Sequence, residues 1–227
     1  MWKIRRIMEA DYGCEERAPG EKLKCLVELV DEKGNTMRLE VQDEWLRRNG
    51  LDEGSSWKDY LPDMYEYRDI HPDELEQAIA IEQICFPPNE ACSPKAMTER
   101  ITAAPELFMA VICKETGKLA GFFNGISTNE DIFRDEFFTD IKLYNPNGRN
   151  VMMLGLDVLP EHRGKGLGRE TAYQYSVRER AKGRDKLFLT CLAGKVEMYK
   201  KFGYTDKGIA NSSWGGEEWH EMVIDLR

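Results

Sequence analysis

The feature that most constrains this chain is the run Leu156-Asp-Val-Leu-Pro-Glu-His-Arg-Gly-Lys-Gly-Leu-Gly168. A long apolar segment, 151–158, leads into it, and glycines at alternate positions pass directly into a helical pattern opening Arg169-Glu170-Thr171. Glycine lets a backbone turn tightly and lets its N–H groups face a ligand unobstructed. A helix N-terminus adds unsatisfied donors and the positive end of the helix dipole, a combination that favours phosphate. Arg163 and Lys165 add charge for the same anion. A Walker loop is excluded because no glycine lies five residues before a Gly-Lys pair. The spacing Gly164, Gly166, Gly168 is also not that of a dinucleotide fingerprint. Taken alone, the turn is also readable as a tight strand-to-helix connection.

Around this turn, strands and helices alternate. Tyr65–Ile70 reads as a strand, and His71-Pro-Asp-Glu opens a helix reaching about Cys85, where Phe86-Pro-Pro stops it. A second helix follows from Ser93. Leu107–Cys113 and Leu119–Ile126 form a hairpin over Lys114–Gly117. Residues 129–149 are a polar, aromatic insertion. Then come strand 151–158, helix 168–182, strand 187–191, helix 195–202 and strands near Tyr204 and 220–226. Residues 1–60 read differently, as a small β-rich domain. Its strands Cys25–Val30 and Thr36–Val41 flank the turn Asp31–Gly34, its third strand lies within Trp2–Met8, and helical turns span 43–48. Leu51–Ser56 reads as a linker to a second domain over 65–227.

Composition narrows the function. The chain has 227 residues and a formal net charge of −9, with no basic block to neutralise phosphates, so nucleic acid is not an expected partner. A hydrophobic share of 41% suffices for packed cores. No apolar run approaches a membrane span, and charges interrupt every apolar stretch near Met1, so no membrane association and a cytoplasmic location are expected. The cysteines Cys14, Cys25, Cys85, Cys92, Cys113 and Cys191 form no CxxC pair. With only His71, His162 and His220 beside them, no metal site is expected, and the thiols read as small buried hydrophobes.

Arg163-Gly-Lys-Gly166-Leu-Gly168 resembles the fingerprint Gln/Arg-x-x-Gly-x-Gly/Ala of the GNAT acyl-CoA N-acetyltransferases. Tyr199-Lys-Lys-Phe-Gly203-Tyr204 resembles that family's late Tyr-x-x-x-Gly-Phe/Tyr signature at the expected distance, and the element order fits from Tyr65 onward. The resemblance implies an α/β fold, a twisted mixed β-sheet flanked by helices, and direct transfer of acetyl from acetyl-CoA to a primary amine in a ternary complex. It assigns the pantetheine arm to the strand backbone at Leu156, Asp157 and Val158. The pyrophosphate falls to Arg163, Gly164, Lys165, Gly166, Leu167 and Gly168. It implies that Tyr199 protonates the departing sulfur, and a phenol titrating normally would give an alkaline decline in rate.

Within the family the chain is most similar to the arylalkylamine (serotonin) N-acetyltransferase branch. The similarity lies in the insertion Asn129–Phe138, the loop Cys85–Cys92 and the ending Glu218–Met222. That branch carries two relay histidines on the central strand, where this chain has Met152 and Leu154. The general base therefore does not transfer, and His162 and His220 stand as candidates only through scarcity. Phe86, Phe133 and Trp214 are candidate walls for an apolar amine, with the carboxylates of 129–138 attracting its charge. Asp157 interrupts an apolar strand on the face opposite Leu156 and Val158, and reads as a structural hydrogen-bonding residue. The acceptor is read as a small arylalkylamine-like or polyamine molecule. A protein lysine or N-terminal acetyltransferase, and a non-catalytic acyl-CoA-binding module, remain alternatives; a homodimer is compatible with each.

Overall fold

A computed structural model describes residues 1–9, 22–57 and 63–227. The chain divides into two compact units, Met1–Tyr60 and Leu61–Arg227. Cys14 lies outside the described residues; the other five cysteines are free thiols.

The first unit is an antiparallel meander of β1 (Lys3–Glu9), β2 (Lys24–Val30) and β3 (Thr36–Gln42). Its β2–β3 turn works because Asp31 Oδ1 accepts from the Lys33 and Asn35 N–H groups at 2.9 and 2.8 Å while Gly34 takes φ +84°. Helix α1 (Asp43–Arg48) lays Trp45 and Leu46 over Ile4, Val27, Leu29 and Val41. The stretch read as a linker is not one. The Ile4 N–H donates to Ser55 O at 2.9 Å, the Gly54 N–H to Ile4 O at 2.8 Å and the Trp57 N–H to Trp2 O at 2.8 Å, which sews 54–57 onto β1.

The second unit carries a seven-stranded sheet in the order β4-β5-β6-β7-β8-β10-β9. The strands are β4 (Tyr65–Asp69), β5 (Phe108–Cys113), β6 (Lys118–Thr128), β7 (Asn150–Val158), β8 (Lys186–Leu192), β9 (Thr205–Ile209) and β10 (Trp219–Asp225). All neighbours pair antiparallel except β7 and β8. Helices α2 (Leu75–Cys85) and α3 (Pro94–Ala103) cover one face, and α4 (Leu167–Ala181) and α5 (Val196–Lys201) the other. Alternation along β6 sorts the two cores: Phe122 packs with Ala78, Met97 and Ile101 on the α2/α3 side, while Phe123 packs with Ala172 and Tyr175 on the α4/α5 side. Ser93 caps α3, its hydroxyl accepting from the Ala96 N–H at 3.2 Å. Among the described residues no helix is long and apolar enough to cross a membrane.

Entry to α2 is pinned by charge. Arg68 forks onto Glu74 at 2.8 and 2.6 Å, and the same carboxylate accepts the His71 N–H at 2.8 Å. The Arg68 hydrogen bond holds the Glu74 carboxyl below its usual range. Arg68→Ala is therefore expected to cost about 1.5–3 kcal/mol at neutral pH, the scale of a charged hydrogen bond. A carboxyl whose folded pKa is depressed contributes fully above its unfolded value of about 4.3 and loses that contribution as pH falls through the folded value. The gap between wild type and variant in denaturant melts should accordingly shrink at acid pH. An equal gap at both pH values would refute the assignment.

Candidate active site

The ladder between β7 and β8 ends early. Only Asn150↔Lys186, Val151↔Leu187 and Met152↔Phe188 pair, although β7 runs on to Val158 and β8 to Leu192. Among the described residues, β7 past Met152 thus pairs with β6 alone, and a gap opens inside the sheet. A register shift between Asn124 and Gly125 against β7 marks the point where the strand departs from regular pairing.

At the end of that gap stands the glycine turn. Pro160–His162 forms a 3-10 turn, Gly164 takes φ +77° and Gly166, the residue preceding α4, φ +93°. No side chain caps α4, so its first N–H groups are left without a side-chain acceptor. A Cβ at Gly164 would meet nothing within 4 Å, and one at Gly168 would touch only Leu156 and Val158 at 3.8–3.9 Å. Arg163 and Gly164 are exposed, as is Gly166; Lys165 is half-buried and Leu167 is core. Arg163 Nε donates to the Val158 carbonyl at 2.7 Å, tying the turn back to the end of β7. The surroundings thus fit an anion with a thin, extended tail: donors at a helix N-terminus, and beside them a strand edge that β8 leaves unpaired.

Tyr199 stands on α5, half-buried, with Phe202 and Tyr204 edge-on at 5.6 and 5.7 Å. Among the described residues its hydroxyl has no hydrogen-bond partner. Burial raises the phenol's pKa, with the charges of Cys191 and Asp157 adding to the effect. The alkaline decline expected of a normally titrating phenol is thereby moved up, out of the ordinary working range.

The candidate acceptor residues separate. Trp214 stacks on Phe138 (centroids 4.7 Å, 28°) and its Nε1 donates to Glu90 O at 2.9 Å, while Asn89 Nδ2 donates to Gly215 O at 2.8 Å. The Ser213 N–H donates to Asp135 at 3.0 Å. The loop carrying Phe86, the 135–138 turn and the 212–216 turn therefore meet. Glu90 titrates above the usual range, first through burial and then through the charge of Glu217. Phe133 is 0% exposed, locked among Phe137, Met152 and Leu154. It is core, and its neighbour Phe138 faces Trp214 in its stead.

Asp157, read as a structural hydrogen-bonding residue, faces a thiol and another acid, Cys85 and Glu82, and among the described residues no ready N–H donor. It lies opposite Phe122 in the ladder, hence on the α2/α3 face, is 0% exposed, and neither carboxylate oxygen has a partner among the described residues. Burial and then the charge of Glu82 hold its carboxyl well above the usual range. Glu82 on α2 and Asn124 on β6 share this space, and sequence reasoning missed both. Glu82 is one acid on a helix with others, but Asn124 is a polar residue inside an apolar strand, a signal that was available. The histidines are engaged elsewhere: His162 Nδ1 pairs with the Tyr65 hydroxyl at 2.8 Å and His220 Nδ1 with Asp206 at 3.1 Å.

The sequence profile of the acetyltransferase (GNAT) family matches residues 67–204. No curated protein sequence matches the chain. Solved structures share the architecture at low identity. The loading GNATL domain of CurA from Lyngbya majuscula is 16% identical, covers 71% of this chain and 98% of its own, and has a TM-score of 0.61. The ribosomal-protein-S18-alanine N-acetyltransferase from Escherichia coli is 16% identical over 72% and 94%, at 0.52. A GNAT superfamily phosphinothricin acetyltransferase from Sinorhizobium meliloti, solved in complex with AcCoA, is 15% identical over 72% and 89%, at 0.53.

Proposed function

This chain belongs to the acetyltransferase (GNAT) family, and from that premise we propose that it transfers acetyl from acetyl-CoA to a primary amine whose body is apolar or aromatic. The observation that carries the reading is the gap beyond Met152, with the uncapped N-terminus of α4 at its end and Tyr199 beside it. In this proposal the N–H groups of Gly164–Gly168, with Arg163 and Lys165, hold the pyrophosphate. The backbone of Leu156–Val158 runs along the pantetheine. Oriented backbone donors of this kind stabilise charge that develops on the carbonyl oxygen. Tyr199, kept protonated by its surroundings, donates to sulfur as the C–S bond breaks.

The amine reading is supported by the stacked rings of Phe138 and Trp214, held against the loop that carries Phe86 and beside the carboxylates of Glu90 and Glu217, because an aromatic wall beside paired acids favours a cationic amine over an acid. An acceptor of the arylalkylamine kind meets both features.

Two measurements test the reading. Acetyl-CoA at a hundredfold its Kd should add about 2.7 kcal/mol to the folded state, which moves Tm by about 5–11 °C for a unit of this size. A panel of arylalkylamines, polyamines, lysine peptides and alcohols should then release free thiol with amines. Release with alcohols and none with any amine would overturn the proposal.

A further inference from the structure

Transfer to an amine requires something to take the proton its nitrogen gives up, and Met152 and Leu154, both buried and apolar, cannot. Three side chains on the α2/α3 face converge on one spot. The position a Cβ would occupy at Gly155 lies 2.9 Å from Asn124 Nδ2, 3.0 Å from Asp157 Oδ2 and 3.8 Å from Glu82 Oε2. Each of those atoms is buried without a hydrogen-bond partner among the described residues, and the residues are 1%, 0% and 3% exposed. Their other atoms are satisfied where partners exist: Glu82 Oε1 accepts the Cys92 N–H at 2.7 Å, and Asn124 Oδ1 accepts from Arg100 Nη1 at 3.2 Å. An orphaned polar atom in a core costs roughly 1–3 kcal/mol, so several crowded over a residue with no side chain call for a small polar bridge between them, a shared proton or a water.

The cluster sits where it would be used. Gly155 belongs to the stretch of β7 that β8 leaves unpaired, and the next residue, Leu156, packs on the other face in the same apolar cluster as Tyr199. A proton acceptor on the α2/α3 side and a proton donor on the α5 side would then flank the same opening.

Resting on the amine N-acetyltransferase reading, we propose that Asp157 and Glu82 form one proton-accepting pair, reached from the acceptor nitrogen through a single water held beside Gly155 by Asn124. In the step, the nitrogen–carbonyl bond forms as the amine N–H bond breaks. That proton passes to the water, and the water gives one of its own to a free oxygen of the pair. The C–S bond then breaks and the sulfur takes the Tyr199 proton. Solvent later returns the pair's proton to the phenolate, so both groups reset. Two adjacent buried carboxylates favour holding one proton between them, and Arg100 on α3, 5% exposed, offsets the remaining charge. The other titratable groups facing the pair are Cys85 and Cys92, both pushed up to about 11 by burial, and Tyr199, also raised, so none of them competes for the proton near neutral pH. Arg163 lies beyond Cys85, donating to its sulfur at 3.4 Å.

Asp157→Asn and Glu82→Gln should each lower kcat by about 10²-fold or more while the acetyl-CoA Kd, read by calorimetry, stays within about twofold. In both, kcat should climb with pH where the wild type stays level, because the proton lost during attack must then be taken by solvent bases and not by the pair. Difference infrared spectroscopy of the wild type should show a protonated carboxyl at neutral pH that Asp157→Asn removes. If both variants retain kcat within about threefold and the wild-type pH profile, or if the wild type lacks that carboxyl signal, the pair is not the acceptor. If the wild type acetylates no amine at all, the reading beneath this inference fails as well, and the two failures are thereby told apart.

Discussion

Tyr199→Phe is expected to lower kcat by 10²- to 10⁴-fold with little change in the acetyl-CoA Kd. The ring packs edge-on against Phe202 and Tyr204, and those contacts survive the substitution. Its hydroxyl has no partner among the described residues to leave unsatisfied, so the fold should keep its Tm. What disappears is proton donation to a departing sulfur, an effect confined to the transition state. Burial raises this phenol, so the wild-type rate should stay level through moderately alkaline pH. A drop in kcat smaller than about threefold would make Tyr199 a packing residue and leave sulfur to be protonated by water.

Gly166→Glu is expected to abolish the acetyl-CoA-dependent rise in Tm. Gly166 is exposed and holds φ +93° at the start of α4, where uncapped N–H groups would meet phosphate. A side chain there costs about 1–2 kcal/mol in left-handed backbone strain, which alone should lower the ligand-free Tm by a few degrees. The carboxylate adds repulsion of the anion at the positive end of the helix. Gly166→Ala carries the strain without the charge, so comparing the two separates loss of fold from loss of binding. Retained affinity in Gly166→Glu would remove the phosphate from this turn.

Much of the second unit was legible because its punctuation is local. Pro94 behind Ser93, the hairpin at Lys114–Gly117 and the glycine turn each impose their geometry on neighbouring residues only. Errors arose where one composition serves two ends. Asp52, Gly54 and Ser55 suit a linker, and equally a turn folded back onto β1, and only the long-range bonds of Ile4 distinguish them. Phe133 in a polar insertion reads as a pocket wall, and its burial follows from β7 and the 135–138 turn closing over it. The cluster at Gly155 was out of reach for a related reason. Glu82, Arg100, Asn124 and Asp157 come from four elements, and helix or strand periodicity cannot say which charged residue will be buried against which. Asp157 alone stood out, as an acid in an apolar strand, but its role could not be inferred without its neighbours.

The short β7–β8 ladder also bears on self-association. Free strand edges ordinarily recruit other chains and are the sites from which sheets grow into aggregates. Here the unpaired edges of β7 and β8 face each other inside one sheet, backed by β6 and β10 and roofed by helices on both faces. A further strand could pair there only by wedging between two strands that one sheet already holds, not by adding to an outer edge. That stretch of backbone is thus left unpaired without offering an outer edge as a template to other copies.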